Sequence, residues 1–232
     1  MPLDFSGDDR NVPLERRILR QARNLAAEFA GIFNFETIHR YVHESTDLLQ
    51  NVRIPDYVHL VAGRLARDRL KALARTQGNL KEDSCLILYL CNHNAGRSQM
   101  AAAFTAHLGQ DRVSVMSAGS TPASEVNTVA VQAMEELGID LSGAFPKPVT
   151  DEVVHAADVV VTMGCGEACP VYPGKRYLDW EVADPAGEPM EVVRAIRDDI
   201  CCRVEDLLTE LGVLGGPSGK DSRKNARQVD LA

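Results

Sequence analysis

The feature that most constrains this chain is the passage CLILYLC-NHNAGR-SQMAAAFTAHL, residues 85–108. An uncharged apolar run of strand length bounded by turn residues suits a strand buried on both faces. The alanine-rich segment after it is composed of good helix formers, predicting a helix over about 97–109. A buried strand feeding a helix through a short loop is the opening of a parallel α/β unit. The pattern repeats downstream. VSVMSAG reads as a strand with a helix near 126–137, DVVVTM (158–163) as another buried strand, and KRYLD as a short one. An amphipathic helix is expected from about Met190 to Leu211. Alternating strands and helices imply a parallel sheet covered on both faces.

Residues 13–76 have a different texture and read as helices throughout. Leu14, Ile18, Ala22, Leu25, Phe29 and Ile32 share one helical face. Asn34 is placed to cap a second helix carrying Phe35, Ile38, Tyr41 and Leu48. Beyond a break at Pro55 and Asp56, a third helix sets Val58, Val61, Leu65, Leu70 and Leu73 on its buried side. Three short amphipathic helices predict a small bundle. Its Arg64, Arg67, Arg69 and Arg75 are read as a solvated helix face. TQGNLKED, 76–83, reads as a linker. The expected organisation is a helical bundle with linker over 1–80, an α/β catalytic domain over 81–213, and a polar, Gly/Ser-rich, disordered tail over 214–232.

Charge and cysteines limit the function. The net charge of −8 sits on the part after the linker, while the first 80 residues have a slight positive balance. An acidic body argues against bulk nucleic-acid binding. The polar, acidic N-terminus has no signal-peptide core, and no apolar run approaches membrane-spanning length, so a cytoplasmic protein with no membrane partner is expected. Six cysteines in a reducing compartment point to metal or redox chemistry rather than a disulfide framework.

In the loop, Cys91 ends the strand and Arg97 and Ser98 open the helix. Asn92, His93, Asn94, Ala95 and Gly96 lie between them. Such a loop can wrap backbone N–H groups around a tetrahedral anion with a helix N-terminus beneath it. Gly96 is read as allowing a backbone conformation that other residues resist. Arg97 can hold two anion oxygens with its planar fork, and Cys91 sits under the central atom. The same N–H groups and the Ser98 hydroxyl favour its nucleophilic thiolate. No Gly-Lys-Ser/Thr is present, so this is not a Walker loop. The side chain of His93 is assigned no role.

With Cys91, Asn94, Arg97 and Ser98 in these positions, the chain resembles the low-molecular-weight phosphatase superfamily, and RSQMA is similar to the version found in its arsenate reductase branch. The resemblance covers about residues 85–213. It implies a four-stranded parallel sheet with helices on both faces, and a late Asp-Pro carrying a general acid, which Asp184 and Pro185 of WEVADPAG supply. Phosphatases of this family acting on phosphotyrosine have aromatic residues after that pair; here AGEPM follows.

A second cysteine feature is TMGCGEACP, where Cys165 and Cys169 follow the third apolar strand. Four-residue separation can meet disulfide Cα distances in a helical turn or folded loop. No further Cys or His pair stands at zinc spacing, so no metal is expected. By resemblance, Cys91, Cys165 and Cys169 form the relay of a thioredoxin-coupled arsenate reductase. The resemblance thus implies arsenate as substrate and no bound cofactor. Reducing equivalents come from an external thiol, thioredoxin or mycothiol with mycoredoxin. Three alternatives stay open: a mycothiol-dependent enzyme using Cys91 alone, a low-molecular-weight phosphatase, and an arsenic- or redox-responsive regulator. Cys85 is read as a strand residue, and Cys201 and Cys202 as members of an amphipathic helix, at least one in the core. AAAF offers no acid beside Asn94 for a monovalent cation. Every residue assigned a chemical role lies after the linker, so the bundle is read as a dimerisation or docking element, with a homodimer through it the expected assembly.

Overall fold

A computed structural model of the protein describes residues 12–49, 57–80, 84–164 and 171–215. The helix break at Pro55 and Asp56, the cysteines Cys165 and Cys169, and most of the C-terminal tail lie outside the described residues.

Among the described residues three helices precede the first strand: α1 (Leu14–Glu28), α2 (Phe35–Leu48) and α3 (Val58–Thr76). The Asn34 side chain accepts from the Thr37 N–H at 2.8 Å and caps α2, an arrangement worth about 1 kcal/mol. The bundle core joins Ile18, Leu25, Phe29, Ile38, Tyr41 and Leu70. Of the apolar residues read on α2, Ile38 and Tyr41 are buried, while Phe35 and Leu48, its first and last residues, are exposed. Ile32 lies past the end of α1 but still packs on the core.

The rest is a four-stranded, all-parallel sheet in the order β2-β1-β3-β4. Its strands are β1 (Cys85–Cys91), β2 (Val113–Gly119), β3 (Val159–Met163) and β4 (Arg176–Asp179). Side chains alternate across a strand, and β1 is apolar on both sides. Ile87, Tyr89 and Cys91 face a core completed by α4 (Arg97–Gly109), α5 (Thr128–Glu135) and α7 (Met190–Glu210). Leu86, Leu88 and Leu90 face a smaller core built from α6 (Asp151–Ala156) and Ala72 of α3. Sequence periodicity did not predict α6, whose six residues are fewer than two helical turns. One bundle helix therefore helps cover the second face of the sheet.

That packing changes the reading of the α3 arginines as a solvated face. Arg69 is buried and pairs with Glu44 and with Glu152 of α6, each at 2.9 Å. Arg75 donates to Asp158 at 2.6 Å and to the Ser84 carbonyl at 2.9 Å. Arg64 donates to the Gly143 carbonyl, and Arg67 pairs with Glu28 inside the bundle. Their partners are far along the chain, so local charge patterning could not reveal them. No described helix is long and apolar enough to cross a membrane.

Candidate active site

Cys91 is the last residue of the central strand β1, paired on one side with Gly119 at the end of β2 and on the other with Met163 at the end of β3. The loop after it is held from outside by its own carbonyls. Those of Cys91, Asn92, His93 and Ala95 accept from the N–H groups of Ser120, Thr121, Ala123 and Asn127, at 2.8–3.2 Å. In a trans peptide the N–H points opposite to the C=O, so tying the carbonyls outward turns the amides toward the loop centre. The collar Ser120–Asn127 was not singled out in the sequence. Its signal was a polar run ending in Asn127, which caps α5 through its side chain.

Cys91 is buried, and its sulfur meets the Ser98 hydroxyl at 2.9 Å and accepts from the Asn94 N–H at 3.2 Å. Asn94 has φ +47°, the left-handed region that L side chains resist. Its fully buried amide makes that conformation stable. Nδ2 donates to Ser98 Oγ at 2.9 Å, while Oδ1 accepts from the Lys147 N–H at 3.0 Å and from Gln99 Nε2 at 3.1 Å. Asn94 is thus a loop residue with positive φ. Gly96, with φ −136° and ψ −88°, lies outside the ordinary helix and strand regions, as expected of it. Glycine is also needed there because a Cβ would stand 2.7 Å from Cγ of Pro185. Gly119 has a similar role beneath the loop, where a Cβ would lie 2.7 Å from the Asn92 carbonyl oxygen and 2.9 Å from the Asn94 nitrogen.

Cys91, Arg97, Asp184 and Pro185 line one cleft of about 360 Å³, whose other walls include Ala123, Val126 and Val129. Arg97 is buried and donates from Nη2 to Asp184 Oδ2 at 2.7 Å and from Nη1 to the Val182 carbonyl at 3.3 Å. Asp184 Oδ1 accepts from the Ala186 N–H at 3.1 Å, which shapes the Asp-Pro turn. His93 is exposed, with its ring against the Thr121 carbonyl. Gly164, the residue before Cys165, is so close to Arg97 that a Cβ would stand 3.0 Å from Nη1. Among the described residues no Phe, Tyr or Trp lines the cleft, and no cluster of three His, Cys, Asp or Glu side chains is arranged for a metal ion. Of the remaining cysteines, Cys85 and Cys201 are half-buried and Cys202 is exposed. Burial, with Glu205 nearby, pushes the thiol of Cys201 up to about 11.

The site combines a thiol, inward-facing amides, a guanidinium and a carboxyl group in one cleft. Comparison with known proteins gives the chain its family. Residues 86–213 match the family model "Low molecular weight phosphotyrosine protein phosphatase", and residues 18–74 match "Protein-tyrosine-phosphatase-like, N-terminal domain". The solved thioredoxin-dependent arsenate reductase of Corynebacterium glutamicum is 41% identical with a TM-score of 0.77, covering 85% of this chain and 98% of its own. A solved arsenate reductase in the phosphate binding state is 34% identical with a TM-score of 0.50, covering 54% of this chain and 98% of its own. The glutaredoxin arsenate reductase of Synechocystis sp. is 35% identical over 128 residues, which are 54% of this chain and 97% of that protein. The chain belongs to the low-molecular-weight phosphotyrosine protein phosphatase family, in its arsenate reductase branch.

Proposed function

We propose that this protein reduces arsenate to arsenite in the cytoplasm, with Cys91 as nucleophile and an external thiol as electron source. The observation that carries the reading is the Cys91 sulfur, held by Ser98 and the Asn94 N–H at the base of a cleft that also contains Arg97 and Asp184. The similar arsenate reductases, one described as thioredoxin-dependent, give the anion its identity.

Arsenate enters the loop, where the amides of Asn92 to Ser98 and the Arg97 fork hold its oxygens. The Cys91 thiolate forms a bond to arsenic, while an arsenate hydroxyl takes a proton from Asp184, its arsenic–oxygen bond breaks and it leaves as water. Cys165 then attacks the sulfur of Cys91. A sulfur–sulfur bond forms, the sulfur–arsenic bond breaks, and its electron pair stays on arsenic, which departs as arsenite. Cys169 attacks Cys165, releasing the Cys91 thiolate and leaving a Cys165–Cys169 disulfide for thioredoxin to reduce. The position of Cys165 one residue after Gly164, which lies against Arg97, supports this order. Association of two copies through the bundle completes the proposal.

Among the described residues the cleft has no aromatic wall, which disfavours phosphotyrosine, whose ring needs a flat apolar partner. The test is arsenate-dependent oxidation of reduced thioredoxin by the purified protein, with mycothiol and mycoredoxin run in parallel. Arsenite formation with thioredoxin supports the full relay. Formation only with mycothiol leaves Cys91 as the sole required cysteine. Hydrolysis of an aryl phosphate with no arsenite from either system would reverse the assignment.

A further inference from the structure

The segment between α5 and α6 touches the oxyanion loop on one side and the helical bundle on the other. On the loop side, the Lys147 N–H donates to Asn94 Oδ1 at 3.0 Å. Gln99 Nε2 donates both to the Phe145 carbonyl and to the Asn94 carbonyl, at 3.0 Å each. These bonds hold Asn94 in its left-handed conformation, and Asn94 in turn directs its N–H to the Cys91 sulfur. On the bundle side, the Phe145 ring packs against Leu49, Ala62 and Leu65. Arg64 of α3 lies over the same ring at 4.8 Å and donates to the Gly143 carbonyl. Lys147 covers the ring at 4.6 Å. The segment has no regular secondary structure of its own, so its backbone takes its position from what it packs on.

We propose that the bundle is a buttress for the oxyanion loop, with Arg64 and Phe145 as positioning residues acting on Cys91 through Lys147, Gln99 and Asn94. Lys147 O also accepts from the Gly119 N–H at 2.9 Å, which gives the segment a second anchor inside the α/β unit. Loss of the bundle contact therefore loosens the loop without dismantling it. Burial lowers the pKa of Lys147 and raises that of Asp68, and the attraction between the two charges opposes both shifts. The expectation that the bundle only dimerises or docks rested on the position of the chemical residues in the chain, which does not reveal this contact.

The proposal rests on the anion-site reading of the Cys91 loop, and its test separates the two. In the full-length reduced protein, alkylation of Cys91 is followed by peptide mass mapping while inorganic phosphate is titrated in as a protecting anion. Arg64→Ala and Phe145→Ala should raise the phosphate needed for half protection by about three- to tenfold, within the range of about two- to thirtyfold expected for indirect coupling. Arg64→Lys, which keeps a donor for Gly143, should recover part of the loss. Arg67→Ala, whose guanidinium pairs with Glu28 inside the bundle rather than with the segment, should match the unmodified protein. Equal half-protection in Arg64→Ala and the unmodified protein overturns the buttress, even if Phe145→Ala fails to fold. Absence of phosphate protection in the unmodified protein removes the anion site, and the buttress with it.

Discussion

Nη2 of Arg97 lies 2.7 Å from Oδ2 of Asp184, so the two groups proposed to bind and to protonate the oxyanion are paired with each other. Arg97 is enclosed and Asp184 half-open to solvent, with side chains 9% and 44% exposed. In the proposed mechanism an incoming anion replaces the carboxylate on the guanidinium, and the same exchange frees Asp184 to carry the proton needed by the departing oxygen.

Asp184→Asn should therefore separate binding from chemistry. Removing the competing charge tightens phosphate binding by up to about fivefold, since a half-exposed ion pair is worth roughly 1 kcal/mol or less. Losing the acid lowers kcat by about 10²- to 10⁴-fold. The phosphate inhibition constant and kcat, measured on one preparation, check both. An unchanged kcat would take the acid role from Asp184.

Gly119→Ala tests the floor of the loop. Both close contacts of a new Cβ are backbone atoms, so neither can swing aside. The substitution should destabilise the protein by about 1–3 kcal/mol and raise KM for arsenate more than an alanine substitution on the exposed surface does. Thermal melting and steady-state kinetics measure the two effects. A normal KM would mean that the loop does not rest on Gly119.

Much of this architecture was legible from local pattern. VSVMSAG coincides with β2, and the helix expected over 97–109 is α4. Asn34 caps α2 as read. What escaped the sequence depends on distant partners. The positive φ of Asn94 and the packing of Pro185 on Gly96 depend on the Lys147 amide and on a turn far along the chain. Arg69 reads as a surface charge until α6, carrying Glu152, is brought against it from 83 residues away. The collar Ser120–Asn127 has no periodicity to announce it, because its function is to donate backbone N–H groups to another loop.

The docking of α3 on α6 should depend on acid. Burial pushes Glu152 up, but its hydrogen bond and charge pairing with Arg69 prevail and hold the carboxyl below its ordinary range. A carboxylate with a lowered folded pKa stabilises the native state above the unfolded value, near pH 4.3. That contribution disappears as pH falls through the folded value. Glu152→Gln should destabilise the protein by roughly 1–2 kcal/mol at pH 7 and by progressively less as pH falls below about 4.3. Urea unfolding over a series of pH values gives the difference. A loss that stays constant down the series would remove the ionic part of the contact.

The relay predicts two distinct failures. Cys165→Ser should stop at the thiol–arsenic adduct unless a small thiol resolves it. Cys169→Ser should release one arsenite per chain and trap a Cys91–Cys165 disulfide, visible by peptide mapping, with multiple turnover lost. Normal turnover of both variants with mycothiol would reduce TMGCGEACP to a structural loop.

The most direct measurement is a single turnover of the fully reduced, full-length protein with excess arsenate and no external reductant. The expected result is about one arsenite per chain, with two thiols lost and mapped to Cys165 and Cys169, and none from Cys91→Ser, whose hydroxyl lacks the nucleophilicity of a thiolate. Arsenite formed at the same rate by Cys91→Ser would contradict the mechanism at its first step.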